Sequence, residues 1–207
     1  MLNHPLHEPS QRWAQRGFTL VELAVTMMLV GILTALALPP VMEWVAISRL
    51  RAAAEALQSS VRFAQAEALR RSRSTALVLS HQSPQVGATP VNNGQRWWVQ
   101  TLLRSGEQAS EQQFLQNSTE PASMNVVMEG PAVLCFNAIG RQVSLSGVSN
   151  GLGFDCTAPS TTTTYTSYTF TNTRTTRRMR VQVGLGGEVR MCNPDKTLSD
   201  EAPDGCR

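Results

Sequence analysis

The chain has 207 residues, a formal net charge of +3 and few aromatic side chains. That length accommodates one ordinary domain with an appendage, and so small a charge excludes a polyanion binder or an acidic-tail protein on composition alone. Thr, Ser, Gln and Asn crowd the second half, pointing to a polar β-rich domain rather than an α-helical enzyme.

Residues 1–17 are polar with a basic end, Arg12 and Arg16. Residues 18–38 are apolar apart from Thr19, Glu22, Thr26, Gly31 and Thr34. As a helix this run extends about 31 Å, the thickness of a bilayer core. Ala35-Leu36-Ala37 resembles a signal-peptidase site but lies inside the run, so an ordinary secretory signal is the weaker reading. The basic flank predicts a cytoplasmic N-terminus and an exported remainder.

Pro39 and Pro40 are expected to kink the helix rather than end it, because a helical pattern resumes at once. Leu50, Ala54, Leu57, Val61, Ala64 and Ala68 recur at alternating steps of four and three. Arg49, Arg51, Glu55, Arg62, Glu67 and Arg70 lie off this stripe. It predicts an amphipathic helix covering a β-sheet and ending near Arg71–Ser74.

The period then changes to two. Strands are predicted over 75–80, 96–103, 124–129, 132–136, 142–146, 167–172, 177–183 and 188–192, separated by polar joints with Gly and Pro. Residues 160–167, STTTTYTS, read as a mobile loop or a strand edge. Within "RRMRVQV", Met179, Val181 and Val183 are expected to face the core, and Arg178 and Arg180 to face solvent beside Gln182. After the "GLGG" turn, Val189 and Met191 face in, and Glu188 and Arg190 face out.

The cysteines, Cys135, Cys156, Cys192 and Cys206, include no C-x-x-C pair, which argues against a zinc ribbon or a thioredoxin-like centre. An even number behind a membrane segment reads as two disulfides in an oxidising compartment; four buried free thiols are the alternative.

Glu22 is the anomaly. A charge deep in hydrocarbon costs about 2.5–3.5 kcal/mol on insertion scales. Glu22 is either an acid tolerated at the interface or one awaiting a cation. A cut after Gly17 would supply the cation, because the new amine of Phe18 lies about one helical turn away. In a bundle of parallel helices, one chain's amine could meet a neighbour's Glu22.

"RGFTLVEL" followed by an apolar run resembles the class III signal of type IV pilins and type II secretion pseudopilins. The resemblance implies that a prepilin peptidase cuts after Gly17 and methylates Phe18. Glu22 would then be the fifth mature residue, and Pro39 would match the family's helix-kinking proline. Further on, "RLRAAAEALQSSVRFAQAEALRRSRSTALVLS", "LCFNAIGRQVS" and "RRMRVQVGLGGEVRMCNP" resemble the helix, first strand, strand–turn–strand and closing hairpin of the GspH/FimT family. The implied fold is α+β and type IV pilin-like, a long N-terminal α-helix, transmembrane in its first half, packed on an antiparallel β-sheet domain. Residues 1–17 would be the leader, 18–38 the transmembrane half, 39–73 the amphipathic half and 74–207 the periplasmic domain. The family's Cys-terminated tails imply a Cys192–Cys206 bond, which would leave Cys135 and Cys156 for each other, although four cysteines allow three connectivities.

The function implied is that of a FimT/FimU-type minor pilin in a priming complex at a pilus tip. Its partners would be the prepilin peptidase, other minor and major pilins and an inner-membrane assembly platform. An H-type pseudopilin of type II secretion is the alternative. An enzyme is disfavoured: of the histidines only His81 lies outside the leader, and no catalytic, cofactor or metal motif is evident. Some relatives are thought to bind DNA through a G-R-x-R motif in the closing hairpin. Here that stretch reads Gly187, Glu188, Val189 and Arg190, with an acid in place of the first arginine. Arg178, Arg180 and Arg190 are the candidate phosphate contacts; the alternative is an exposed strand whose charges keep it soluble.

Overall fold

The computed structural model describes residues 17–104, 106–118, 125–147, 151–159 and 164–207, side chains of 37–40 and 109 excepted. The leader up to residue 16 and positions 160–163 of the Thr-rich run lie outside the described residues. The chain divides into two units, Met1–Val41 and Met42–Arg207.

In the first unit, helix α1 (Leu20–Arg71) opens on a capped end. Thr19 is the cap: its carbonyl accepts from the Leu23 N–H at 3.1 Å and its hydroxyl from the Glu22 N–H at 3.2 Å. From Leu20 to Leu36 the large apolar side chains are exposed on every side, in a helix long and apolar enough to cross a membrane. Thr26 and Thr34 return their hydroxyls to carbonyls one turn back, at 2.9 Å, so neither needs water. The helix runs through Pro39 and Pro40 without ending, as the resumed helical pattern predicts.

In the second unit, every residue of the Leu50–Ala68 stripe is fully buried, flanked by Ala46 and Ala53. The strands are β1 (Thr75–Ser80), β2 (Arg96–Thr101), β3 (Phe114–Asn117), β4 (Val126–Glu129), β5 (Val133–Phe136), β6 (Gln142–Val143), β7 (Tyr165–Asn172), β8 (Thr175–Gly184), β9 (Val189–Thr197) and β10 (Gly205–Cys206). They form two five-stranded sheets, ordered β3-β2-β1-β5-β6 and β10-β9-β8-β7-β4. Among the described strand pairs only β10 pairs in parallel, with β9, and Leu134 of β5 makes an isolated parallel bridge to Thr157.

Both sheets pack on the helix stripe. Leu77, Trp97 and Phe136 come from the first sheet, and Met128, Phe170 and Val181 from the second. Two buried hydrogen bonds set the first sheet's position, from the Trp97 indole to Ser60 Oγ at 3.0 Å and from the Thr75 hydroxyl to the Ala64 carbonyl at 2.8 Å. The first sheet's other face has its own core of Ala76, Val78, Trp98 and Val133, closed by a disulfide between Cys135 and Cys156. Strand β1 is therefore buried along its whole length instead of alternating, as strands covered on both faces are.

Two features yield measurable consequences. Tyr168 is fully buried and its hydroxyl has no hydrogen-bond partner among the described residues, while Gly130 leaves room for its ring. Tyr168→Phe is expected to leave stability of the full chain in detergent unchanged or raise it by up to about 1 kcal/mol; denaturant unfolding that shows a loss above about 2 kcal/mol would contradict this. At the helix end, hydrogen bonds from Arg70 and then Arg71 lower Glu67 from 4.5 to about 2. A carboxyl depressed on folding contributes stability above pH 4.5 that is lost as pH falls towards 2. The difference in unfolding free energy between the native chain and Glu67→Gln should therefore shrink across that window.

Candidate functional site

The first candidate site is the start of α1. Gly17 and Phe18 precede the helix, and Phe18 is 84 % exposed. Glu22 stands at the third helical position, three residues after the Thr19 cap, the spacing of a capping box. The T-x-x-E spacing is visible in the sequence and gives Glu22 a capping role besides its place as a charge in an apolar run. The cap gives the Glu22 backbone a local reason to be there, and an acid in the first turn suits the helix dipole. Neither satisfies its carboxylate, which is exposed and has no partner among the described residues. The arrangement is an uncompensated acid in the first turn of an otherwise apolar surface.

The second candidate is the closing hairpin of β8 and β9. Met179, Val181 and Val183 do face the core. On the outer face the structure departs from expectation at Gln182, which is only 4 % exposed rather than at the surface. The reason is the segment after β9, which folds back over this face. A disulfide joins Cys192 on β9 to Cys206 on β10. The Gln182 amide donates to the Arg207 carbonyl at 3.1 Å and its oxygen accepts from the Arg207 N–H at 3.3 Å. The Asn193 N–H donates to the Asp204 carbonyl at 2.7 Å, and Lys196 pairs with Asp204 at 3.0 Å.

The arginines are drawn into the same arrangement. Arg190 donates to the carbonyls of Pro203 at 2.7 Å and Gly205 at 3.2 Å. Arg178 pairs with Asp195, whose carboxyl its hydrogen bond holds below the usual range. Arg180 donates to the Thr169 hydroxyl at 3.1 Å. Glu188 lies 3.6 Å from the Arg207 guanidinium, which also donates to the Tyr165 hydroxyl at 3.2 Å. All three candidate phosphate contacts thus already bond within the fold.

Residues 14–38 match the prokaryotic N-terminal methylation motif, and residues 53–187 match the family described as type II transport protein GspH. The chain belongs to the GspH family. This is a family of minor pilins and pseudopilins, and the methylation motif spans Gly17, Phe18 and Glu22. Among solved structures, the type IV minor pilin FimU of Pseudomonas aeruginosa is similar at 15 % identity and a TM-score of 0.49, covering 72 % of this chain and 95 % of its own. The minor pseudopilin EpsH of the Vibrio cholerae type 2 secretion system is similar at 10 % identity and a TM-score of 0.44, covering 72 % and 99 %. No curated protein matches the chain by sequence. The GspH match ends at Gly187, so the covering segment and its disulfide lie beyond it.

Replacing Cys192 and Cys206 together by Ser should cost about 3 kcal/mol, from the freed loop entropy. It should also speed amide exchange at Gln182 and Arg207. Unchanged exchange at both positions would show that the hydrogen bonds hold the segment without the disulfide.

Proposed function

We propose that this GspH-family chain is a minor subunit of a type IV pilus. A prepilin peptidase cuts it after Gly17 and methylates Phe18. The helix holds it in the inner membrane with the second unit in the periplasm, and it joins other pilins on an assembly platform to prime the filament, at its tip. The observation that carries this reading is the Glu22 carboxylate, unpartnered among the described residues, in the first turn of a helix whose first half is otherwise apolar. A lone acid is costly in hydrocarbon, and a neighbouring subunit's Phe18 amine supplies the missing charge. A type II secretion pseudopilin would use the same chemistry, and the matched family's description, type II transport protein, supports that second reading.

Glu22→Gln should leave processing and membrane insertion intact and reduce the amount of this subunit in sheared pili at least tenfold, read by immunoblot; normal incorporation would refute the role given to Glu22. Gly17→Ala should leave the leader attached, and a mature Phe18 end found by mass spectrometry in that variant would refute the cleavage site. Recovery of the native chain in secretion pseudopili and never in pili would favour the second reading.

DNA contact by Arg178, Arg180 and Arg190 would require these side chains to leave Asp195, Thr169 and the 203–205 carbonyls. We infer that they serve the fold instead, Arg190 by holding the covering segment and Arg178 and Arg180 by bonding the neighbouring strands β9 and β7. The full chain in detergent should not retard duplex DNA at low salt. A retardation that disappears when all three become Gln would restore the DNA reading.

A further inference from the structure

Between α1 and the closing hairpin lies an open groove of about 200 Å³. Ile47, Met179 and Met191 form its apolar lining over the fully buried Leu50, and Arg51, Arg177 and Arg178 are its exposed arginines, of which Arg178 is paired with Asp195. The methionines face inward from β8 and β9 and are only half-buried, so the lining is deformable and incompletely covered. Its carboxylates are already neutralised nearby: Asp195 beside the groove by Arg178, and Asp204 on its wall by Lys196. Arg51 and Arg177 have no side-chain partner among the described residues. The groove therefore couples an apolar lining to two uncompensated positive charges.

Its size bears on the occupant. Small-molecule pockets run to about 300–1,000 Å³, so this groove suits one or two side chains. A nucleic-acid backbone presents phosphates but no aliphatic group, and would leave the lining uncovered. The geometry points to a docking site for an acidic–apolar segment of a neighbouring subunit. One large apolar side chain rests on Ile47, Met179 and Met191, with flanking carboxylates taken up by the Arg51 and Arg177 forks. This rests on the reading of the chain as an assembly subunit and adds the chemistry of its partner.

The test titrates the full chain in detergent with two fluorescent peptides at low salt, acetyl-Gly-Asp-Leu-Glu-Gly-amide and its counterpart with Asn and Gln. Anisotropy should show the acidic peptide binding at least about tenfold more tightly. The combined Arg51→Glu and Arg177→Glu variant, both surface positions, should abolish that preference, whereas Arg141→Glu on another exposed loop should preserve it. Equal binding of the two peptides, a preference that survives the double variant, or equal loss in Arg141→Glu would overturn the proposal. So would tighter binding of a duplex oligonucleotide that the double variant removes. No filament is involved in this readout. A chain that binds the acidic peptide but never assembles refutes the pilus reading alone, and one that assembles without any peptide preference refutes the groove alone.

Discussion

The second unit depends on the burial of one narrow stripe of α1. Leu50, Leu57 and Val61 supply bulk, and Ala54, Ala64 and Ala68 let the backbone of the sheets come close. Both sheets pack their inner faces on this stripe, so a single helix organises two sheets around one core. Fully burying a Leu or Val is worth about 1.5–3 kcal/mol, more than any exposed ion pair on the surface supplies. The polar contacts on the stripe, Trp97 with Ser60 and Thr75 with Ala64, fix position rather than provide the main stabilisation.

The two disulfides occur where that stripe does not reach. Cys135 and Cys156 close the first sheet's far face, which is covered only by loops. Cys192 and Cys206 hold a ten-residue segment, 198–207, over the outer face of the second sheet. There Arg190 donates to the segment's own carbonyls, while Arg178 and Arg180 bond Asp195 and Thr169 on the neighbouring strands. Arg51 and Arg177 have no side-chain partner among the described residues beside it, and this difference separates structural arginines from those available to a partner.

Much of this was legible in the residues. The α1 stripe could be read position by position because a 3.6-residue period buries the same face over five turns. Strand β7 alternates half-buried and buried along all its positions, the pattern that betrays a strand with one face on the core. Strand β3 was not legible, because FLQN carries no alternation and pairs only at a sheet edge. Neither was β10, which is two residues long and held by a disulfide. The division into two sheets depends on pairings between distant strands, such as β4 with β7, to which local periodicity is blind. Gln182 shows the same limit: alternation assigned it to the outer face correctly but carried no information on what lies over that face.

At the other end of the chain, Thr19 caps the helix and orders the turn that carries Glu22, while the carboxylate stays unmatched. The account rests on that carboxylate finding a neighbour's amine. Treating sheared, intact pili with a carbodiimide and mapping the products by mass spectrometry tests it most directly. An amide bond between Glu22 and the N-terminal amine of an adjacent subunit is the expected product. Glu22 recovered unmodified, while those amines couple to other carboxylates, would contradict it.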